Sequence, residues 1–172
     1  MQILRYDQLP STQDEARRLA PTAEEWTVVM ARSQYQGRGK PGSAWYSPEG
    51  GLYFSLILKP RKNPNDLAKL TIAAAEAIAS VLTAKYGVKA EIKPPNDILI
   101  AGKKICGILT EKMGGSLIVG IGINIAQVEF PEGLSAVPLA AVSPRKTEPE
   151  SLLEDIIPAL RERYLKFLSG EV

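Results

Sequence analysis

The sequence predicts an α+β fold, with helices flanking one mixed, largely antiparallel β-sheet in a single domain over residues 1–172. Three observations lead there. Runs of aliphatic, aromatic and β-branched residues, such as Leu52-Tyr-Phe-Ser-Leu-Ile-Leu58, recur between glycine and proline breaks. Between Ile98 and Ile125 the only interruptions are Ala101-Gly102 and Gly114-Gly115, turns so short that the strands they join must pair antiparallel. Helical periodicity occurs in separate long segments rather than after every strand. The chain has 172 residues, 45% of them apolar, enough for one substantial core.

The elements follow in order. Met1 to Tyr6 reads as a strand, broken by Leu9-Pro10. Ser11 is a hydroxyl at a cap position with Asp14 three residues later, so a short helix is expected over Asp14 to Ala20, stopped by Pro21. Trp26 to Ala31 is a strand, and after Gly50-Gly51 so is Leu52 to Leu58, ending near Pro60. Asn65-Asp66 opens the clearest helix. Its expected apolar face is Leu67, Leu70, Ile72, Ala75, Ile78, Ala79 and Leu82, with Gly87 as C-terminal cap. Val88 to Ile92 is a short strand; Ile98 to Ile100, Lys103 to Lys112 and Leu117 to Ile125 form the meander. Gln127 to Thr147, interrupted by Pro131, Gly133, Pro138 and Pro144, reads as irregular loop. Glu148-Pro149-Glu150 opens a last helix to about Leu168.

Composition removes several kinds of chemistry. The chain contains no histidine, which excludes Ser-His-Asp and Cys-His nucleophiles, histidine-ligated zinc and histidine bases together. The one cysteine, Cys106, sits in the apolar run Ile105-Cys-Gly-Ile-Leu109 and reads as a small buried hydrophobe in a reducing compartment. A formal net charge of +2 is too small to drive nonspecific nucleic-acid binding. Arg61-Lys62 and the spaced Lys85, Lys89 and Lys93 are read as solvated faces. No secretory signal is seen in the charged first twenty residues, and no run of about 18 apolar residues is expected to cross a membrane. The expectation is a cytoplasmic protein.

Four segments carry candidate chemistry. Gln34-Tyr-Gln-Gly37-Arg38-Gly39-Lys40-Pro-Gly42, with Trp45 three residues on, places three glycines and two cations in one loop. Glycines let backbone N–H groups approach an anion, Arg38 can grip one at two points, Lys40 adds a mobile charge and Trp45 a flat apolar face. The same loop reads as a turn with solvated charge. It is neither a Walker A loop nor a dinucleotide fingerprint. Lys93-Pro94-Pro95-Asn96-Asp97 is either a stiff turn or an amide and a carboxylate held by rigid backbone. In Gly102-Lys103-Lys104-Ile-Cys-Gly107-Ile-Leu109 the lysines read either as exposed at a hairpin tip or as cations beside a site. Gly120-Ile-Gly122-Ile-Asn124 places glycines inside a strand, where something must approach the backbone closely, and an inward amide that needs a partner.

In this order the segments resemble the catalytic domain of the biotin protein ligases. The resemblance is carried by Ser11-Thr12, by Gly37-Arg-Gly-Lys-Pro-Gly42 with Trp45, and by Lys93-Pro-Pro-Asn-Asp97. Lys104-Ile-Cys-Gly-Ile-Leu109 and Gly120-Ile-Gly-Ile-Asn124 complete it. It runs from about Leu9 to Ile125 and more loosely into the last helix. Lipoate ligases share the fold and match these strings less well.

The resemblance implies a carbon–nitrogen bond-forming ligase. Biotin is activated by ATP as biotinyl-5′-AMP, then transferred to a lysine of a biotin carboxyl carrier protein. It implies Lys104 and Arg38 as the catalytic pair. Ser11, Thr12, Gln34, Gly37 and Gly107 would join them around biotin, the first three at the ureido ring. Gly39, Lys40, Trp45, Asn96 and Asn124 would join them around ATP, and Asp97 would take Mg2+. Neither nucleic acid nor membrane is an expected partner; a homodimer is compatible, through a surface the sequence does not reveal. Lys40 stands where the family has arginine, and Pro94 where it has tryptophan. A small C-terminal β-barrel and an N-terminal DNA-binding domain, found in some relatives, are expected to be absent. The alternatives are a ligase for lipoate or another acyl group, and a domain that binds biotin without turnover.

Overall fold

Residues 1–61 and 66–171 are described by the computed structural model. Among them, seven strands form one sheet: β1 Gln2–Leu9, β2 Thr27–Gln34, β3 Gly51–Leu58, β4 Glu91–Lys93, β5 Asp97–Ile100, β6 Lys103–Met113 and β7 Ser116–Asn124. Their order across the sheet is β1-β2-β3-β7-β6-β5-β4. Only β1 and β2 pair in parallel, because the helix α1, Thr12–Leu19, carries the chain back between them. The other pairs are antiparallel, as the short turns require. The helices α2 Leu67–Tyr86 and α4 Pro149–Ser169 cover one face, and α1 covers part of the other.

Local chemistry sets the boundaries. The Ser11 hydroxyl accepts from the N–H groups of Gln13 and Asp14, capping α1. The Asp66 carboxylate accepts from the Lys69 N–H, and Gly87 ends α2 at φ 68°, a left-handed conformation that a side chain would strain. Ala101 at φ 48° and Gly102 at φ 77° make the turn between β5 and β6. Every residue of β3 is buried, because this strand lies inside the sheet with both faces covered.

Some expectations needed correction. The first two strands run three residues further, to Leu9 and Gln34, because each supplies the other's ladder up to the pair Leu9–Gln34. Val88 is buried outside any strand, and β4 is confined to Glu91–Lys93. The 127–147 loop includes the short helix α3, Leu139–Val142. Ile72 is only partly buried, whereas Ala73, Ala74 and Ala77 lie inside, so the Ala-rich middle of α2 is embedded more broadly than one face. That same composition makes α2 long and apolar enough to span a bilayer, contrary to expectation, yet its apolar residues pack in the domain core. Lys62, of the basic Arg61-Lys62 pair, and Asn65, at the expected helix start, lie outside the described residues.

Candidate active site

Alternation along the strands sorts the sheet into two faces. Leu52, Phe54, Leu56 and Leu58 of β3 join the larger core with α2 and α4, as do Leu117, Val119, Ile121 and Ile123 of β7. The intervening positions face α1 and the glycine loop. There β3 offers Ser55, and β7 offers Gly120 and Gly122. Strand β6 contributes Gly107 and Leu109. The result is a cleft on this face of the sheet, partly open to solvent.

A β-bulge directs the most important cation. Ile98 pairs with Cys106 but Leu99 pairs with Lys104, so Ile105 is an extra residue on β6. Without it, alternation from Gly107 would turn position 104 toward α2. With it, Lys104 and Gly107 both face the cleft. The Lys104 ammonium lies 2.7 Å from Asp97 Oδ1 and 5.2 Å from the centre of the Trp45 ring. Asp97 Oδ1 is buried, and the Lys104 ammonium is the group that meets it.

Trp45 lies over two glycines. A Cβ at Gly122 would collide with the indole, and one at Gly107 would stand 2.7 Å from its Cζ3. The glycines inside the strands therefore exist for an aromatic ring of this same chain. The indole Nε1 is buried with no acceptor, an arrangement that costs about 1–3 kcal/mol until a polar group meets it.

One end of the cleft is neutral and polar. The Thr12 N–H donates to Gln34 Oε1 at 2.7 Å, and Gln34 Nε2 donates to the Ser47 hydroxyl at 2.8 Å. The Thr12 and Ser55 hydroxyls lie 3.0 Å apart. The Ser55 hydroxyl also donates to Gln13 Oε1 at 3.0 Å. Gln13 is buried against Gly120, where a side chain would collide with its amide oxygen. On the other side Arg38 donates to Asp14 Oδ1 at 2.7 Å and to both oxygens of Glu111, at 2.9 and 3.3 Å. Lys40 is exposed on the same loop.

Ten expected site residues thus line one cleft: Ser11, Thr12, Gln34, Arg38, Gly39, Lys40, Trp45, Asn96, Lys104 and Gly107. Three are not among its lining residues. Gly37 is buried, and the backbone N–H of Trp45 donates to its carbonyl at 2.9 Å. Asn124 Nδ2 donates to the Lys104 carbonyl at 3.2 Å and its Oδ1 accepts from Gln127, so this amide supports the strand instead of facing the cavity. Asp97 is engaged by Lys104. Among the described residues no group of three His, Cys, Asp or Glu is placed to hold a metal by itself, so a Mg2+ here would take its further oxygen ligands from nucleotide phosphates and water. Sequence reasoning missed Gln13, Ser55, Asp14 and Glu111. The available signal was a polar residue within each apolar or strand run, Ser55 and Glu111. Burial also pushes the Cys106 thiol well up, away from nucleophilic use.

Fold and cleft together define an α+β ligand-binding domain with a cationic, histidine-free site on one sheet face. The model of the biotin/lipoate A/B protein ligase family matches residues 5–127, and the chain belongs to that family. The bifunctional ligase/repressor BirA of Bacillus subtilis (strain 168) is 37% identical over 97% of this chain and 55% of that protein. The biotin–[acetyl-CoA-carboxylase] ligase of Paracoccus denitrificans is 37% identical over 83% of this chain and 59% of that protein. Among solved structures, the Aquifex aeolicus biotin protein ligase in complex with biotin and ATP superposes with a TM-score of 0.90 at 30% identity, covering 98% of this chain and 72% of that one. The chain therefore spans a little over half the length of these curated relatives.

Proposed function

We propose that this domain activates biotin with ATP and passes the biotinyl group to a lysine of a carrier protein. The observation that carries the reading is that Lys104 and Arg38 converge on one cleft whose far end is built from Ser11, Thr12 and Gln34. Relatives that match most of the chain are named biotin ligases, and one matching structure holds biotin and ATP.

In the first step a biotin carboxylate oxygen bonds to the α-phosphorus of ATP and the bond to pyrophosphate breaks. Two anions must meet; at 4 Å a unit pair repels by about 4 kcal/mol at an effective dielectric near 20. Lys104 and Arg38 offset that repulsion, and a carboxylate needs no base to become the nucleophile. The hydroxyls and amides of Ser11, Thr12 and Gln34 both donate and accept, as a urea group demands. The orphaned Trp45 N–H supplies one further donor to the ligand. Mg2+ enters with the nucleotide as part of the substrate. In the second step the carrier lysine, as free amine, bonds to the acyl carbon and AMP leaves. A cytoplasmic setting supplies both ATP and a carboxylase acceptor.

Biotin-dependent exchange of labelled pyrophosphate into ATP tests the reading. Exchange with biotin supports it. Exchange with lipoate alone would move the substrate to another acyl acid, and calorimetric biotin binding without exchange would reduce the domain to a binder.

A further inference from the structure

We propose that Glu111 is the positioning residue of this site, fixing Arg38 over the cleft and Gln13 along its floor before any ligand arrives. The inference rests on the biotin-activating reading for its consequence in turnover, but its physical content is a property of the free protein. Glu111 lies near the C-terminal end of β6 and draws together three groups distant from it in sequence. Its two oxygens face the Arg38 fork at 2.9 and 3.3 Å. Its Oε2 accepts from Gln13 Nε2 at 2.9 Å, and its Oε1 accepts from Arg17 at 3.3 Å. It is four-fifths buried, with a side-chain exposure of 21%.

The backbone of Arg38 is tied to Ala44 by a β-bridge, but its long side chain has several rotatable bonds that the backbone does not fix. A carboxylate on a rigid strand supplies that restraint at two points and fixes the plane of the guanidinium. Three of the five guanidinium donors are engaged by Glu111 and Asp14. Nε–H and one Nη2–H stay available for an incoming anion. Gln13, held by the same carboxylate, presents its oxygen to Ser55 and fills the space left by Gly120. One side chain therefore sets the cation and the polar floor in register. Arg17 and Arg38 balance Asp14 and Glu111, so the cluster is neutral and stable without a ligand.

Limited trypsin digestion of the ligand-free protein tests the restraint directly. Cleavage after Arg38 requires the side chain to leave Glu111, whereas Lys40 is protected by the following Pro41. In Glu111→Ala we expect cleavage after Arg38 to rise about tenfold or more, with cleavage after the exposed Lys89 and Arg145 unchanged. Glu111→Gln, which keeps one acceptor, should restore part of the protection. An unchanged rate at Arg38 overturns the inference, and so does equal acceleration at all three sites, which would mean that Glu111 only supports the fold. For turnover, Glu111→Ala should cost on the order of 10²-fold in biotin-dependent exchange. In an Arg38→Ala background its further cost should be much smaller, limited to what the lost Gln13 anchor contributes. Additive losses overturn the positioning role. Absence of exchange in the unmutated protein would count against the biotin reading alone, and the digestion would still decide the role of Glu111.

Discussion

The two faces of the sheet are built by opposite rules. On the α2–α4 face the strand positions are mostly large apolar groups, and Phe54, Leu56, Ile121 and Ile123 join helix residues such as Ile78, Leu82 and Ile156 in one core. On the other face the same strands carry Ser55, Gly107, Gly120 and Gly122, and only a small cluster around Ala16, Val29 and Ile57 is packed dry. Adjacent residues of one strand thus serve stability and binding separately. Stability comes from the filled face; the other face can accept glycines and buried polar groups because its neighbour already holds the sheet together.

If the faces divide the work this way, substitutions on them should separate affinity from stability. The largest effect is expected at Lys104. Lys104→Ala should lower biotinyl-adenylate formation by about 10²–10³-fold while circular dichroism and melting stay near those of the parent, since the ammonium is partly exposed and not packed in the core. Near-normal exchange would remove Lys104 from the chemistry. Phe54→Ala, two strands away on the filled face, should do the converse. It should cost about 3–5 kcal/mol of stability and roughly 10 °C in Tm, with the biotin affinity of the remaining folded protein little changed. Loss of affinity in step with stability would show that the faces are coupled.

Smaller changes sharpen the boundary. Gly122→Ala forces the Trp45 indole out of its slot. Biotin affinity should fall about tenfold, with a red shift of Trp45 emission read in a Trp26→Phe background. An unshifted spectrum would mean that the strand, and not the ring, gives way. The smallest effect is expected at Asp155, remote from the cleft, whose carboxyl is held below its ordinary value of 3.8 by hydrogen bonds from Lys85 and Tyr86. A lowered folded-state pKa means that the stabilisation is complete above the unfolded value and disappears as pH falls through the folded one. Asp155→Asn should therefore cost about 1 kcal/mol at pH 7, and the difference from the parent should shrink below about pH 4, as urea denaturation at several pH values would reveal.

Much of this was legible from sequence. Ser11 at its cap, Gly87 ending α2, the two tight turns of the meander and the glycine loop are short-range effects, determined by which residues tolerate which backbone angles. The cleft was legible as four separate segments and the Ser11-Thr12 pair, ten of whose candidate residues meet in one cavity. Gly37 and Asn124 belong to the same strings yet serve the loop and the strand, because a motif specifies residue types and not the direction in which each side chain points.

By itself the sequence determined where the chain could bend, which stretches had to pair and that the chemistry would run without imidazole. Only the tertiary structure decided that one extra residue at Ile105 turns Lys104 into the cleft, and that Asp14 and Glu111, 24 and 73 positions from Arg38, take hold of it. Turns and caps are governed by neighbours a few residues away, whereas facing and ion pairing depend on strand register and on the meeting of distant elements, which local pattern does not encode.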